Sequence, residues 1–267
     1  MMGHALVRGV SPAMNRCELT HRPREPIDLV RAEGQHRAYV AALESLGCRI
    51  HVLPGDSNLP DCVFVEDTAV IVEGAAVIAR PGAPSRRREV DAVAAFLSDR
   101  MELLRIEPPG TLDGGDVLRV DRTLYVGASE RTNPAGIAQL RALVALRGYD
   151  VVAVPVTGCL HLKSAVTQVA DHVVLLRKEW VDGHTFAGCE RIEIDPREPD
   201  AANGLRIGDD FLFPTAYPRT AARLRRRGIR VHSVDVSELA KAEGAVTCCS
   251  LVWNDTPPAR WSPTPPS

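Results

Sequence analysis

Val117-Leu118-Arg119-Val120-Asp121-Arg122-Thr123-Leu124-Tyr125-Val126 places two short β-rich runs on either side of an Asp121-Arg122 turn, and the residues that follow decide the architecture. Ile137, Leu140, Leu143 and Val144 recur at helical spacing. Gly148 then stands where a helix C-cap is expected, immediately before the apolar run 149–156. The order is strand, strand, helix, strand. Outward from this stretch the same ending recurs at 48–53, 101–106, 191–194 and 229–232, with Gly47 and Gly228 in the capping position before two of them. Residues 63–72 with 75–79 give another strand pair. Helical patterns cover 27–46, through Leu29, Val30, Tyr39, Val40, Leu43 and Leu46, and the segment holding Val90, Val93, Ala94, Phe96 and Leu97.

A repeat of this period, roughly 40–55 residues, fixes an architecture before any single motif does. Five such units use up the chain, with the N-terminal strand and helix completing the unit that a strand at 247–253 begins. A closed ring of repeats leaves short protected edges and a central channel, as propellers do. An open mixed α/β sheet is the alternative on pattern alone. The ring takes residues 1–254 as one catalytic domain, and the proline density of 255–267 reads as a disordered tail without chemistry.

The chain has 267 residues, with 32 Lys+Arg against 34 Asp+Glu, a net charge of −2, and an isoelectric point near 6.5. No basic field favours nucleic acid or a membrane surface. Hydrophobic residues at 45% and charged residues at 25% are ordinary globular values. No apolar run approaches the ~18 residues of a membrane span, and residues 1–10 lack a signal-peptide pattern. A cytoplasmic protein is expected. The seven cysteines include no CxxC pair and read mostly as buried free thiols, without a metal site.

The densest chemistry lies in Leu59-Pro60-Asp61-Cys62-Val63-Phe64-Val65-Glu66-Asp67-Thr68, where three carboxylates stand within an apolar segment. Such acids are costly unless paired. Read as a strand, the segment puts Cys62, Phe64 and Glu66 on one face and Val63, Val65 and Asp67 on the other. In Gly110-Thr111-Leu112-Asp113-Gly114-Gly115-Asp116 two glycines permit a close backbone approach, although an ordinary Asp-Gly turn reads the same way. His161, flanked by leucines, is by itself equally a core histidine. Cys248 and Cys249, on consecutive positions of a strand, face opposite sides, so one of them can look into the channel. A cysteine with a distant histidine and a carboxylate is the pattern of a thiolate nucleophile with its base and orienting acid. Two arginine-bearing loops, 83–88 and 129–133, each follow a strand pair and precede a helix, and one arginine from each suits a carboxylate clamp.

Six strings in chain order, spread over nearly the whole folded chain, resemble the dimethylarginine dimethylaminohydrolase family. They are Leu-Pro-Asp-x-Val-Phe-Val-Glu-Asp-Thr (59–68), Ser-Arg-Arg (85–87), Leu-Asp-Gly-Gly-Asp-Val (112–117), Arg-Thr-Asn (131–133), Leu-His-Leu-Lys-Ser (160–164) and Thr-Cys-Cys-Ser (247–250). The resemblance implies the pentein fold, an α/β-propeller of five ββαβ units in pseudo-fivefold arrangement. It also implies roles: Cys248 as nucleophile, His161 as general acid/base and Asp113 as the carboxylate orienting the imidazole. Asp67, with Glu66 beside it, matches the guanidinium-binding acids. Arg86 and Arg131 match the α-carboxylate clamp, Asp61 the partner of the α-ammonium, and Leu19 and Ala242 backbone contacts near the amino-acid end. Ala242 is smaller than the usual aliphatic residue, to which a backbone contact is indifferent.

The implied reaction converts Nω-methylated arginine to citrulline through a covalent thiouronium on Cys248, with no metal or organic cofactor. Zinc on the active-site thiolate and imidazole is an inhibitor in this reading. The partner is a small-molecule substrate, not nucleic acid or membrane, and a homodimer is compatible with the chain. Arginine and agmatine deiminases, amidinotransferases and a non-catalytic ribosome-binding factor share the fold. The deiminases' His-x-Asp pattern supplies a carboxylate for unsubstituted guanidinium nitrogens. Here that position is Lys163, which cannot accept those hydrogen bonds and so favours methylated arginine.

Overall fold

Two-residue hairpin turns require a residue at positive φ, and the chain supplies one at each of four hairpins: Gly74 (73°), Asp121 (50°), His172 (53°) and Gly208 (60°). The three glycines expected to cap helices, Gly47, Gly148 and Gly228, sit at φ 88°, 71° and 80°. In the computed structural model, which describes residues 3–254, these turns and caps punctuate five repeating units. The tail read at 255–267 lies outside the described residues.

β1 (Gly3–Arg8) is followed by α1 (Leu29–Ser45) and β2 (Cys48–Leu53). Then come β3 (Ala69–Val72), β4 (Ala75–Ile78), α2 (Val90–Ser98) and β5 (Glu102–Arg105), and after them β6 (Val117–Val120), β7 (Thr123–Ala128), α3 (Pro134–Ala145) and β8 (Asp150–Pro155). A one-turn α4 (Leu162–Ala165) leads into β9 (Val166–Ala170), β10 (Val173–Leu176) and β11 (Glu190–Glu193). β12 (Leu205–Ile207), β13 (Asp210–Pro214), α5 (Pro218–Arg226) and β14 (Arg230–Val234) precede the short α6 (Ser237–Ala240) and β15 (Leu251–Asn254). The strands form five three-stranded sheets among the described residues, each with a central strand antiparallel to one neighbour and parallel to the other. One sheet, ordered β15-β1-β2, joins the two ends of the described chain and closes the ring. This is the closed ring expected from the repeat, and the pentein propeller that the resemblance implies.

Three local expectations are corrected. The fourth unit crosses from β10 to β11 on a single 3-10 turn, Gly183–Phe186, because residues 177–189 leave too little chain for a full helix and its turns. The strand read from residue 63 begins only at Ala69, after a 3-10 turn over Val65–Thr68. Every residue from 61 to 70 is buried, so the segment has no solvent face against which to alternate. Likewise Thr247–Cys249 is a 3-10 turn and the strand starts at Leu251.

The core is divided among the seams of the ring. Leu6 and Leu251 of the first sheet pack on Ile78, Val93 and Leu97 of the second, and Val70 and Val77 of the second pack on Leu124, Val126 and Leu140 of the third. Leu118 meets Val166 and Phe186, Leu175 meets Phe211 and Phe213, and Leu212 returns to Tyr39 and Leu43 of the first unit. Each such buried side chain contributes roughly 1.5–3 kcal/mol, so every seam is held without a common centre. The centre is an axial cavity of about 210 Å³, lined by residues of β3, β6, β9, β12 and β15, among them Val70, Leu118, Gln168, Arg206 and Val252.

Candidate active site

The segments just before the five innermost strands gather at one end of the axis, which brings distant motifs together. They are the turn Val65–Thr68 before β3, Gly114–Asp116 before β6, His161 with α4 before β9, Asn203 before β12, and Thr247–Cys249 before β15. The glycines at 114 and 115 are what let them converge. A Cβ at Gly114 would stand 2.0 Å from the Glu66 carbonyl oxygen, and one at Gly115 would stand 2.6 Å from His161 Nδ1 and 2.7 Å from Asp67 Oδ1.

At the centre, His161 Nε2 lies 3.0 Å from Asp113 Oδ2, and its Nδ1 lies 3.9 Å from Asp67 Oδ1. Asp113 is itself held by the Gly82 N–H at 2.9 Å. Burial opposes the imidazolium, but the carboxylates of Asp67, Asp116 and Asp113 outweigh it and push His161 up to about 9. Asp67 accepts from Arg86 Nη1 at 2.7 Å and from the Gly115 N–H at 2.9 Å. Against its own burial, the charges of His161 and Arg86 hold it down at about 2.

Cys248 and His161 line one pocket together with Asp67 and Phe64. Burial, then the charges of Glu66 and Asp67, raise the Cys248 thiol, while the Ala245 N–H at 3.4 Å points at its sulfur. Cys249 is fully buried in the apolar seam. Cys248 lines the pocket and Cys249 does not, and both stand on a turn and not on a strand.

The other end of the pocket holds Asp61, Arg86, Arg131 and Ala242. Arg131 is 7% exposed and donates from Nη2 to Thr20 Oγ1 at 3.0 Å, while its Nη1 is buried without a partner. Arg86 is more fully engaged, with Glu89 at 2.8 Å, the Phe64 carbonyl at 3.2 Å and Asp67. Asp61 accepts the Glu18 N–H at 3.1 Å. Residues 20–22 pass over this end, their three backbone N–H groups donating to the Glu243 carboxylate.

Two expected residues stand elsewhere. Glu66 turns away from the pocket wall to meet Lys163 Nζ at 2.5 Å and Thr247 Oγ1 at 2.7 Å, facing the axial cavity. Leu19 packs against the apolar seam of the first unit and is not in the pocket wall. Missed altogether were Glu89, Glu243 and Asn203. Glu89 lies three residues after Arg86, a spacing open to reading, whereas nothing in the sequence near Glu243 signals its φ of 59° or its partners.

Asp67, Asp113 and His161 each present one ligand atom within 4.8 Å of the others. Their oxygens already face Arg86, two backbone N–H groups and the imidazole. A guanidinium 2.7 Å from Asp67 disfavours a metal cation there.

Comparison with known proteins agrees with this geometry. Residues 15–186 match the family described as N,N dimethylarginine dimethylhydrolase, eukaryotic. An N(G),N(G)-dimethylarginine dimethylaminohydrolase of Streptomyces coelicolor is 42% identical over 251 residues, 92% of this chain and 95% of that one. Its counterpart from Pseudomonas aeruginosa is 38% identical over 228 residues, 84% and 89% of the two chains. A solved structure of the Pseudomonas aeruginosa enzyme, a cysteine-to-serine variant complexed with citrulline, superposes with a TM-score of 0.91 at 34% identity, covering 95% of this chain and all of that one. Unliganded AgrE, at 16% identity and a TM-score of 0.84, shares the fold over 94% of this chain and 39% of its own. With its sequence, fold and pocket in agreement, the chain belongs to the dimethylarginine dimethylaminohydrolase family.

Proposed function

We propose that this chain hydrolyses Nω-methylated L-arginine to L-citrulline, releasing methylamine or dimethylamine, with Cys248 as nucleophile. One observation carries the reading: a single pocket is lined by Cys248, Asp67 and His161, the last backed by the buried Asp113, and also by Asp61 and by Arg131 with its unpartnered Nη1, which form its second end. That polarity suits a guanidinium at the first end and the α-amino and α-carboxylate groups at the second. The complex of the Pseudomonas aeruginosa relative with citrulline supports the product.

The resting pair is a thiol and an imidazolium, since burial, Glu66 and Asp67 raise Cys248 while Asp67, Asp113 and Asp116 raise His161. A guanidinium arriving beside Asp67 offsets that negative charge and lowers the thiol, which gives its proton to solvent and becomes the thiolate. The thiolate sulfur bonds to the guanidinium carbon, and the tetrahedral adduct collapses as His161 gives its proton to the departing amine and the C–N bond breaks. The remaining thiouronium is attacked by water, which loses a proton to the now neutral His161. The C–S bond then breaks, the hydroxyl proton of this second adduct passing to the departing sulfur or to solvent, to leave neutral ureido citrulline and the free Cys248 side chain. Lys163, already bound to Glu66, offers no acceptor to unsubstituted guanidinium nitrogens, which supports a methylated substrate.

Citrulline and amine release from monomethylarginine, asymmetric dimethylarginine, arginine and agmatine, assayed side by side, tests the proposal. Equimolar citrulline and methylated amine from the first two is the expected result. No citrulline from either, or faster ammonia release from arginine, would overturn it.

A further inference from the structure

Asp116 takes no part in the reaction above, yet it is wholly buried and accepts three hydrogen bonds. Leu162 N donates to Oδ1 at 2.9 Å, and Ser129 Oγ and Thr132 Oγ1 donate to Oδ2 at 2.6 and 2.7 Å. Each donor touches the chemistry one step further on. Leu162 follows His161 in the chain. Thr132 Oγ1 accepts from the Asp113 N–H at 3.1 Å, and Ser129 Oγ accepts from the Arg131 N–H at 3.0 Å. Ser129 Oγ also accepts from the Thr132 N–H at 3.2 Å, so both its lone pairs are taken and its one proton points at Asp116, while Thr132 Oγ1, with one lone pair taken, lies 2.7 Å from the same carboxyl oxygen. Asp116 thus receives on both oxygens, from the Leu162 N–H and the Ser129 hydroxyl, as a carboxylate does, and these donors oppose the burial that raises it to about 6. Its own backbone N–H donates to the Asp113 carbonyl at 3.0 Å. The space is kept by Gly127, where a Cβ would stand 2.5 Å from Asp116 Oδ1.

We propose that Asp116 is the positioning residue of this site: one buried carboxylate that fixes the acid/base imidazole, the carboxylate orienting it and the substrate-binding arginine as a single block, and whose charge supports the imidazolium. The proposal rests on the roles given to His161, Asp113 and Arg131 above. The charged and titratable groups around the imidazole are Asp113, Asp67 backed by Arg86, Asp116 and, across the pocket, Cys248. Lys163 and Cys159 stand two residues either side of it. Asp116 is thus one of three carboxylates that favour its protonation, and the one that also ties down its backbone.

Asp116→Asn is nearly isosteric but must turn an NH2 toward Leu162 N–H or toward the two hydroxyls, so one contact becomes donor against donor. The expected results are a loss in kcat of about 100-fold, as for a misplaced catalytic group, and a His161 titration midpoint lowered by about one pH unit. The midpoint is read by NMR without substrate, so it stands or falls independently of whether methylarginine is hydrolysed. Ser129→Ala, which frees the Arg131 and Thr132 N–H groups but leaves Asp116 bound to Leu162 and Thr132, is expected to raise KM while moving the His161 midpoint much less than Asp116→Asn does. Thr132→Val is expected to lower kcat, and Thr132→Ser to restore it. An unmoved midpoint in a folded Asp116→Asn would overturn the proposal. If that variant does not fold, Ser129→Ala and Thr132→Val with unchanged kcat and KM would do so.

Discussion

Lys163 Nζ lies 2.5 Å from Glu66 Oε1, and this ion pair forms the floor between the pocket at the end of the ring and the axial cavity behind it. Glu66 is also bound to Thr247, which Asn203 holds from Nδ2 at 2.9 Å, so four of the five units contribute to that floor. Burial raises the Glu66 carboxyl, and Lys163 opposes the shift. Lys163→Met therefore leaves an acid buried without its cation, and is expected to cost about 3 kcal/mol in a denaturant titration. Adding Glu66→Gln is expected to recover part of the loss. A Lys163→Met protein as stable as the parent would contradict the role of the pair.

The protonation of His161 has a stability signature. Its folded value, about 9, lies above its ordinary value of 6.5, so its contribution is complete below 6.5 and is lost as pH rises through 9. Melting temperature is expected to fall across that interval by more in the parent than in His161→Gln. Parallel curves would show that the imidazole is not held protonated by its carboxylates.

The repeat was legible because its signals are local: an apolar run, a helical spacing, a glycine at a cap. The positions of the chemistry were less so. Residues 63–72 read as a strand, alternating over 62–67, because hydrophobic and acidic residues mix, whereas burial of every residue from 61 to 70 lets the chain turn and point Asp67 into the pocket and Glu66 away from it. Partners such as Glu243 with residues 20–22 lie more than 200 positions apart, and no sequence window contains both. The pairing of Asp113 with His161 came from resemblance, and the 3.0 Å contact gives it a physical basis.

Gly115→Ala adds one methyl group at the point where the Asp113 turn passes His161 and Asp67. With Cβ 2.6 Å from His161 Nδ1, the ring must move. The expected loss in kcat is about 100-fold, with a circular dichroism spectrum unchanged from the parent. Retained activity would mean that the imidazole can act from a shifted position.

Arg131 keeps Nη1 buried and unpartnered, as a group awaiting an anion does. Arg131→Lys loses the planar fork, and KM for methylarginine is expected to rise at least tenfold, with kcat changed much less. An equal fall in kcat at constant KM would instead assign the residue to the transition state.

The central claim is that the sulfur of Cys248, and not that of its buried neighbour, meets a positively charged carbon. Acid quenching during turnover of a slowly processed methylarginine analogue, followed by peptide mass spectrometry, tests it most directly. A thiouronium-sized adduct on Cys248 is expected, abolished in Cys248→Ser together with citrulline formation and preserved in Cys249→Ser. An adduct on Cys249, or citrulline formed at the parent rate by Cys248→Ser, would contradict it.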